Sequence, residues 1–267
     1  MTSQLQFIIA LAALFMLLPC PCLADSPPLE YAGSYNEHLV WADQVVMVAD
    51  VLIRSGGSLT IRPGTTVYVV PAEGTQIDPE YLSSQTELLV RGRITIQGTP
   101  QLPVRFVVQD RPGLETYAWA GIILDHASDL SDIAYTHIDR AEVAIRCVSS
   151  SPTILGNIIT HCRYGMIIQK RSHPKVLENN ISHGEAGVFC WLGSKPTLRS
   201  NRLERLDEEG LFIDASSQPL LDQNVIRYNE IGLASYNNQL PAGTNLLQNN
   251  RVNARVLGHQ GLPSQSP

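Results

Sequence analysis

The strongest constraint in this chain of 267 residues is a period of 22 running through its second half. Pro152, Pro174, Pro196 and Pro219 are spaced by 22, 22 and 23, and Asn157, Asn179, Asn201 and Asn224 each follow a proline by five residues. Two positions after each asparagine stands Ile159, Ile181, Leu203 or Ile226, while Gly165, Gly187, Gly210 and Gly232 repeat at 22, 23 and 22. Three columns on one period describe a stack of equivalent units, each too small to bury a core alone. Gly121 and Ala144 extend the small-residue column backwards, to six rungs.

The unit is built from strands. Gly-Ile-Ile-Leu at 121–124, Gly-Met-Ile-Ile at 165–168 and Gly-Leu-Phe-Ile at 210–213 place their first and third positions after the glycine inward, by the two-residue period of a strand. No stretch supplies the pair of amphipathic helices that a helical repeat needs, so a helical solenoid fails. Parallel stacking at about 4.8 Å sets equivalent residues above one another. The expectation is an all-β chain, a single-stranded parallel β-helix of about nine rungs, whose asparagine column bonds amide to amide and to turn backbone.

Composition agrees. Only 16% of residues are charged, against about 25% in average soluble domains. The inward positions are taken by Ile, Leu, Val and Cys, and the turns by Asn, Ser, Pro and Gly. The net charge is −6, and the basic residues stand singly rather than in a block, which excludes nucleic acid as an expected partner.

Phe7 to Leu18 is an apolar, uncharged run ending in Pro19-Cys20-Pro21-Cys22-Leu23-Ala24, which reads as a signal peptide over 1–24. The run is too short to span a bilayer, and Pro19 disfavours a lipid anchor on Cys20. The expected product is exported, periplasmic or secreted, without a membrane span. Residues 25–44 are expected as a lead-in, 45–257 as the solenoid with a projecting loop at 71–87, and 258–267 as a disordered tail.

Upstream of the regular rungs, Gly57-Ser58-Leu59-Thr60-Ile61-Arg62-Pro63-Gly64-Thr65-Thr66-Val67 precedes Leu89-Val90-Arg91-Gly92-Arg93-Ile94-Thr95-Ile96-Gln97-Gly98-Thr99. Pro103-Val104-Arg105-Phe106 and Trp119-Ala120-Gly121-Ile122 complete the order. Over residues 45 to 257 this resembles the exported right-handed β-helix repeat proteins, the pectin-lyase-like superfamily with carbohydrate-binding and sugar-hydrolase repeats. The resemblance implies a right-handed solenoid. It leaves function open among lyases, hydrolases, epimerases, binding proteins and non-catalytic solenoids.

The Gly-His-Gly and Arg-Ile-Lys elements of its polygalacturonase-like hydrolases are absent. Its lyases hold calcium on carboxylates, and here Glu185, Glu208 and Glu230, two residues before successive glycines, stack with Asp207 and Glu209 beside them. Carboxylates at strand spacing repel unless they hold a cation or share protons, so a calcium site is one expectation and splayed, solvated turn residues the other.

The second and fourth positions after each small residue point outward. They are Ile123 and Asp125, Arg146 and Val148, Ile167 and Gln169, Phe189 and Trp191, Phe212 and Asp214, and Ala234 and Tyr236. Phe189, Trp191, Phe212 and Tyr236, bordered by Asp125, Arg146, Gln169 and Asp214, form an aromatic strip suited to sugar rings, with coverage by the 71–87 loop, the tail or a partner subunit as the alternative. The expected function is binding of an extended polysaccharide or other glycan on this face. A polysaccharide lyase, hydrolase or epimerase is the second reading, and a structural or protein-interaction solenoid the third.

Cys147, Cys162 and Cys190 remain after signal removal, an odd count. Cys147 and Cys190 share an inward column but are separated by Ile168, about 9 to 10 Å in all, beyond disulfide reach. They are expected as buried thiols. His161 and His183 stack one rung apart near Cys162 and Met166, where the superfamily's copper-maturation member suggests a metal and polar turn chemistry is the plainer reading.

Overall fold

The structure is a computed structural model describing residues 27–72, 81–109, 116–237 and 244–258. The segment read as a signal peptide and nearly all of the segment read as a tail lie outside the described residues, as do 73–80 of the expected projecting loop. The described strands pair in parallel throughout, in one sheet of 18 strands and one of eight, with about nine turns of chain. Each regular rung contributes three strands. One rung consists of Thr153–Leu155, Ile158–Thr160 and Tyr164–Gln169, and the next repeats it as Lys175–Leu177, Asn180–Ser182 and Ala186–Cys190.

Strand pairing starts earlier than 45. Leu29–Tyr35 pairs with Gln44–Ile53, and His38–Trp41 pairs with Ser58–Ile61. The stretch read as a lead-in is thus a first rung, whose Tyr31 ring lies 5.1 Å from that of Trp41. Its sequence lacks the Pro, Asn and Gly columns of the later rungs.

The core is the inside of the coil. Ile122, Ile145, Met166, Val188, Leu211 and Leu233 form one inward column, and Leu124, Cys147, Ile168, Cys190 and Ile213 the next, all buried. Cys147, Ile168 and Cys190 stand in the predicted order, and all three cysteines are free and buried. Burial pushes the thiols of Cys147 and Cys162 up to about 12, so at neutral pH they behave as small core residues.

The asparagine column is a continuous hydrogen-bonded ladder. Asn157 Nδ2 donates to Asn179 Oδ1 at 2.8 Å, Asn179 Nδ2 to Asn201 Oδ1 at 3.0 Å, and Asn201 Nδ2 to Asn224 Oδ1 at 2.9 Å. Asn245 adds a fifth rung, accepting from Asn224 Nδ2 at 2.8 Å. Each Oδ1 also caps the backbone N–H of the asparagine below, so the turn's buried donors are satisfied without water. The glycine column answers a different need. A Cβ on Gly187 would stand 2.2 Å from Gly210 O, so rungs stacked at this point leave room only for hydrogen.

At the N-terminal end the outer face is covered. Leu52, Leu89, Ala120 and Ile123 form a second apolar cluster, against which Tyr81 packs. Ile123, placed on the outward side by its register, is therefore 1% exposed.

Beside that cluster Glu87 is completely buried. Its Oε1 accepts the Leu82 N–H at 2.8 Å, its own N–H donates to Asp50 Oδ1 at 2.8 Å, and its Oε2 has no partner among the described residues. Burial pushes the carboxyl up to about 7, outweighing the Leu82 N–H that holds it down, and Asp50 adds to the rise. The folded chain therefore keeps a proton that the unfolded chain, titrating near 4.5, has released. Stability should fall as pH climbs from about 4.5 to about 7 and level off above, by roughly 3 kcal/mol for this group. Denaturant titrations at both ends of that window, on the parent and on Glu87→Gln, check this: the glutamine chain should lose the slope. A parent that gains stability across the window contradicts it.

Candidate functional site

The outward aromatics come together as expected, and the set is larger. Phe189 and Phe212 face each other across adjacent rungs with ring centroids 5.0 Å apart. Trp191 stacks on Phe189 at 5.9 Å and 10° between planes, and meets Phe212 edge-on at 6.0 Å. Tyr236 closes one end at 5.8 Å from Phe212. Tyr164, which the positional rule passes over, closes the other at 5.2 Å from Phe189.

Parallel pairing fixes the order. Arg146, Ile167, Phe189, Phe212 and Ala234 align in one outward column, and Gln169 and Trp191 belong to the next. Trp191 is 40% exposed and Tyr236 43%, while Phe189 and Phe212 are half-buried by their neighbours. Tyr81 of the 71–87 segment covers the Ile123 end of the face, and the aromatic end stays open among the described residues.

The polar border differs from the expectation at Asp214. Its carboxylate accepts the N–H groups of Leu192, Ser216 and Ser217 at 2.8 to 3.0 Å and the Ser216 hydroxyl at 2.9 Å, so it is committed to shaping the turn. Burial alone would raise its pKa, but the hydrogen bonds from Ser217, Leu192 and Ser216 outweigh that and hold it below the usual value. Arg146 is half-buried and forms no ion pair among the described residues, with its Nε buried and unpartnered. Desolvation lowers its pKa against the pull of Glu87 and Glu142. It marks the cationic end of the strip.

The glutamate ladder is also present. Backbone hydrogen bonds link Glu185 to Glu208, and Glu230 falls one rung on. Arginines, however, already serve two of the three: Arg163 bridges Glu185 at 3.0 Å and Glu142 at 2.8 Å, and Arg251 pairs with Glu230. Among the described residues no group of three or more His, Cys, Asp or Glu side chains is placed to hold a metal ion. Of the expected calcium set Glu185, Glu208 and Glu230, two carboxylates thus have arginine partners and Glu208 has no ion pair among the described residues. Guanidinium groups carry the opposite charge that the stacked carboxylates demand.

The histidine pair fares likewise. The rings of His161 and His183 stack at 5.6 Å, but their Nδ1 atoms are held by Asp139 at 2.8 Å and Ser182 at 3.1 Å, while Cys162 is buried and receives the Ala141 N–H. Among the described residues no third ligand joins them.

A family model described as the right-handed beta helix region matches residues 120–259, just over half of the chain. No curated protein and no solved structure matches it.

Proposed function

This chain belongs to the right-handed β-helix family, and we propose that it binds an extended glycan along the aromatic face of Tyr164, Phe189, Trp191, Phe212 and Tyr236. The observation that carries the reading is a contiguous row of five aromatic side chains on the outward side of a sheet whose apolar inward side is already filled. Soluble monomers seldom leave such a patch open without a use for it. Flat rings receive the C–H faces of sugars, and the adjoining amides and charged groups receive hydroxyls. Gln169 and Arg146 are the side chains positioned for that second role. Export, as read from residues 1–24, would bring the face into contact with extracellular or periplasmic polysaccharide.

Binding without turnover fits the site better than catalysis. Asp214 is tied to its turn and Glu185 and Glu230 pair with arginine; the neighbouring acids left without an ion pair, Asp207, Glu208 and Glu209, stand together on one rung, so the described residues set no free acid and base on opposite sides of a bound sugar. Retention of the full chain on a panel of insoluble polysaccharides tests the proposal. At least one should hold it without releasing fragments. Passage through every column contradicts binding, and unsaturated products absorbing in the ultraviolet would reassign the chain to the lyases.

A further inference from the structure

The charges beside the strip go further and select the kind of glycan. The rung of Phe212 carries Asp207, Glu208 and Glu209 immediately before Gly210, and none of the three forms an ion pair among the described residues. Asp207 and Glu208 are exposed and Glu209 is half-buried. On the rung below, Glu185 shares Arg163 with Glu142, so two carboxylates draw on one guanidinium. Glu185 adjoins the rings directly, since the Tyr164 hydroxyl donates to its Oε1 at 3.2 Å while the Tyr164 ring lies against Phe189, and Glu208, one rung on, acts on the same Tyr164 hydroxyl through its charge. Desolvation first, and then the neighbouring Glu185 and Glu209, raise the Glu208 carboxyl against the pull of Arg163.

Building on the glycan reading, we infer that the bound glycan carries free amino groups, with its ammonium groups on Asp207, Glu208 and Glu209 and its ring faces on Phe189, Trp191 and Phe212. Aromatic faces attract cations as carboxylates do, so strip and border act in the same sense. A uronic acid polymer meets the wrong sign along this edge and finds Arg146 only at the far end. A basic peptide is disfavoured by the backbone, because the strands beneath the aromatics are hydrogen-bonded on both sides and offer no edge for strand addition.

The test compares glucosamine oligomers, their N-acetylated counterparts, uronic acid oligomers and polylysine, all against the full chain by calorimetry. Glucosamine oligomers should bind about tenfold more tightly than the N-acetylated ones at low salt, the worth of two or three exposed charge pairs, and the advantage should vanish in high salt. In a chain carrying Asp207→Asn, Glu208→Gln and Glu209→Gln, the tenfold preference should disappear while affinity for N-acetylated oligomers holds. Equal affinity for both forms, or a preference for uronic acids, overturns the amine inference and leaves the glycan reading standing. Binding of polylysine with no carbohydrate bound overturns both.

Discussion

Replacing Asn201 by leucine should lower the unfolding free energy by about 2–5 kcal/mol, although side-chain volume barely changes. Asn201 Nδ2 donates to Val176 O at 2.8 Å and to Asn224 Oδ1 at 2.9 Å, and its Oδ1 accepts both the backbone N–H and the Nδ2 of Asn179 at 3.0 Å. Leucine leaves the Asn179 N–H and the Val176 carbonyl buried without those partners, at about 1–3 kcal/mol for each orphaned group. Asn179 Nδ2 keeps the Ile154 and Leu177 carbonyls and Asn224 Oδ1 keeps the Asn201 N–H, so the loss stays local. Guanidinium titrations of Asn201→Leu and of the exposed control Lys195→Ala measure it. The control should stay within about 0.5 kcal/mol of the parent. A leucine chain as stable as the parent would mean that the ladder is incidental to the fold.

The double substitution Trp191→Ala with Phe212→Ala should weaken glycan binding by at least about 100-fold, the loss expected when two aromatic anchors are removed from the centre of a contact surface. Its structural cost should be small. Both side chains stand outside the sheet and contact Phe189 and each other rather than the inward columns, so removing them opens no cavity in the core. Far-UV circular dichroism should be unchanged and the melting temperature should drop by only a few degrees. Retention equal to the parent's places the glycan elsewhere. Should the double variant unfold, Tyr236→Ala, at the 43% exposed end of the strip, repeats the test with less disturbance.

The solenoid was legible in sequence because stacking imposes the same hydrogen-bonding duty on every rung. Asn157, Asn179, Asn201 and Asn224 had to recur, and did, at spacings of 22, 22 and 23. Asn245 performs the same duty but stands 21 residues after Asn224, with residues 238–243 intervening outside the regular pattern, so the column seemed to end early. The first rung was hidden because Leu29–Tyr35 carries none of the columns that mark the later rungs.

The aromatic strip followed from the alternation after each glycine. Tyr164 escaped it because that residue precedes its glycine, outside the positions read after each small residue, yet its ring packs against Phe189. The charged groups were the least legible. Carboxylate stacking could be read from spacing, but Arg163 and Arg251 reach acids on neighbouring rungs, and Asp214 turns back onto its own loop. Those choices belong to side-chain geometry.

Trp191 gives the central claim its most direct measurement. Trp41 and Trp119 are 1% and 0% exposed, so collisional quenching of tryptophan fluorescence by acrylamide reports mainly on Trp191. In the free chain one of the three tryptophans should be open to quencher, and saturating a retained polysaccharide should close it, with no such response in Trp191→Ala. A polysaccharide that binds the chain and leaves Trp191 as open as before would contradict a glycan lying on this face.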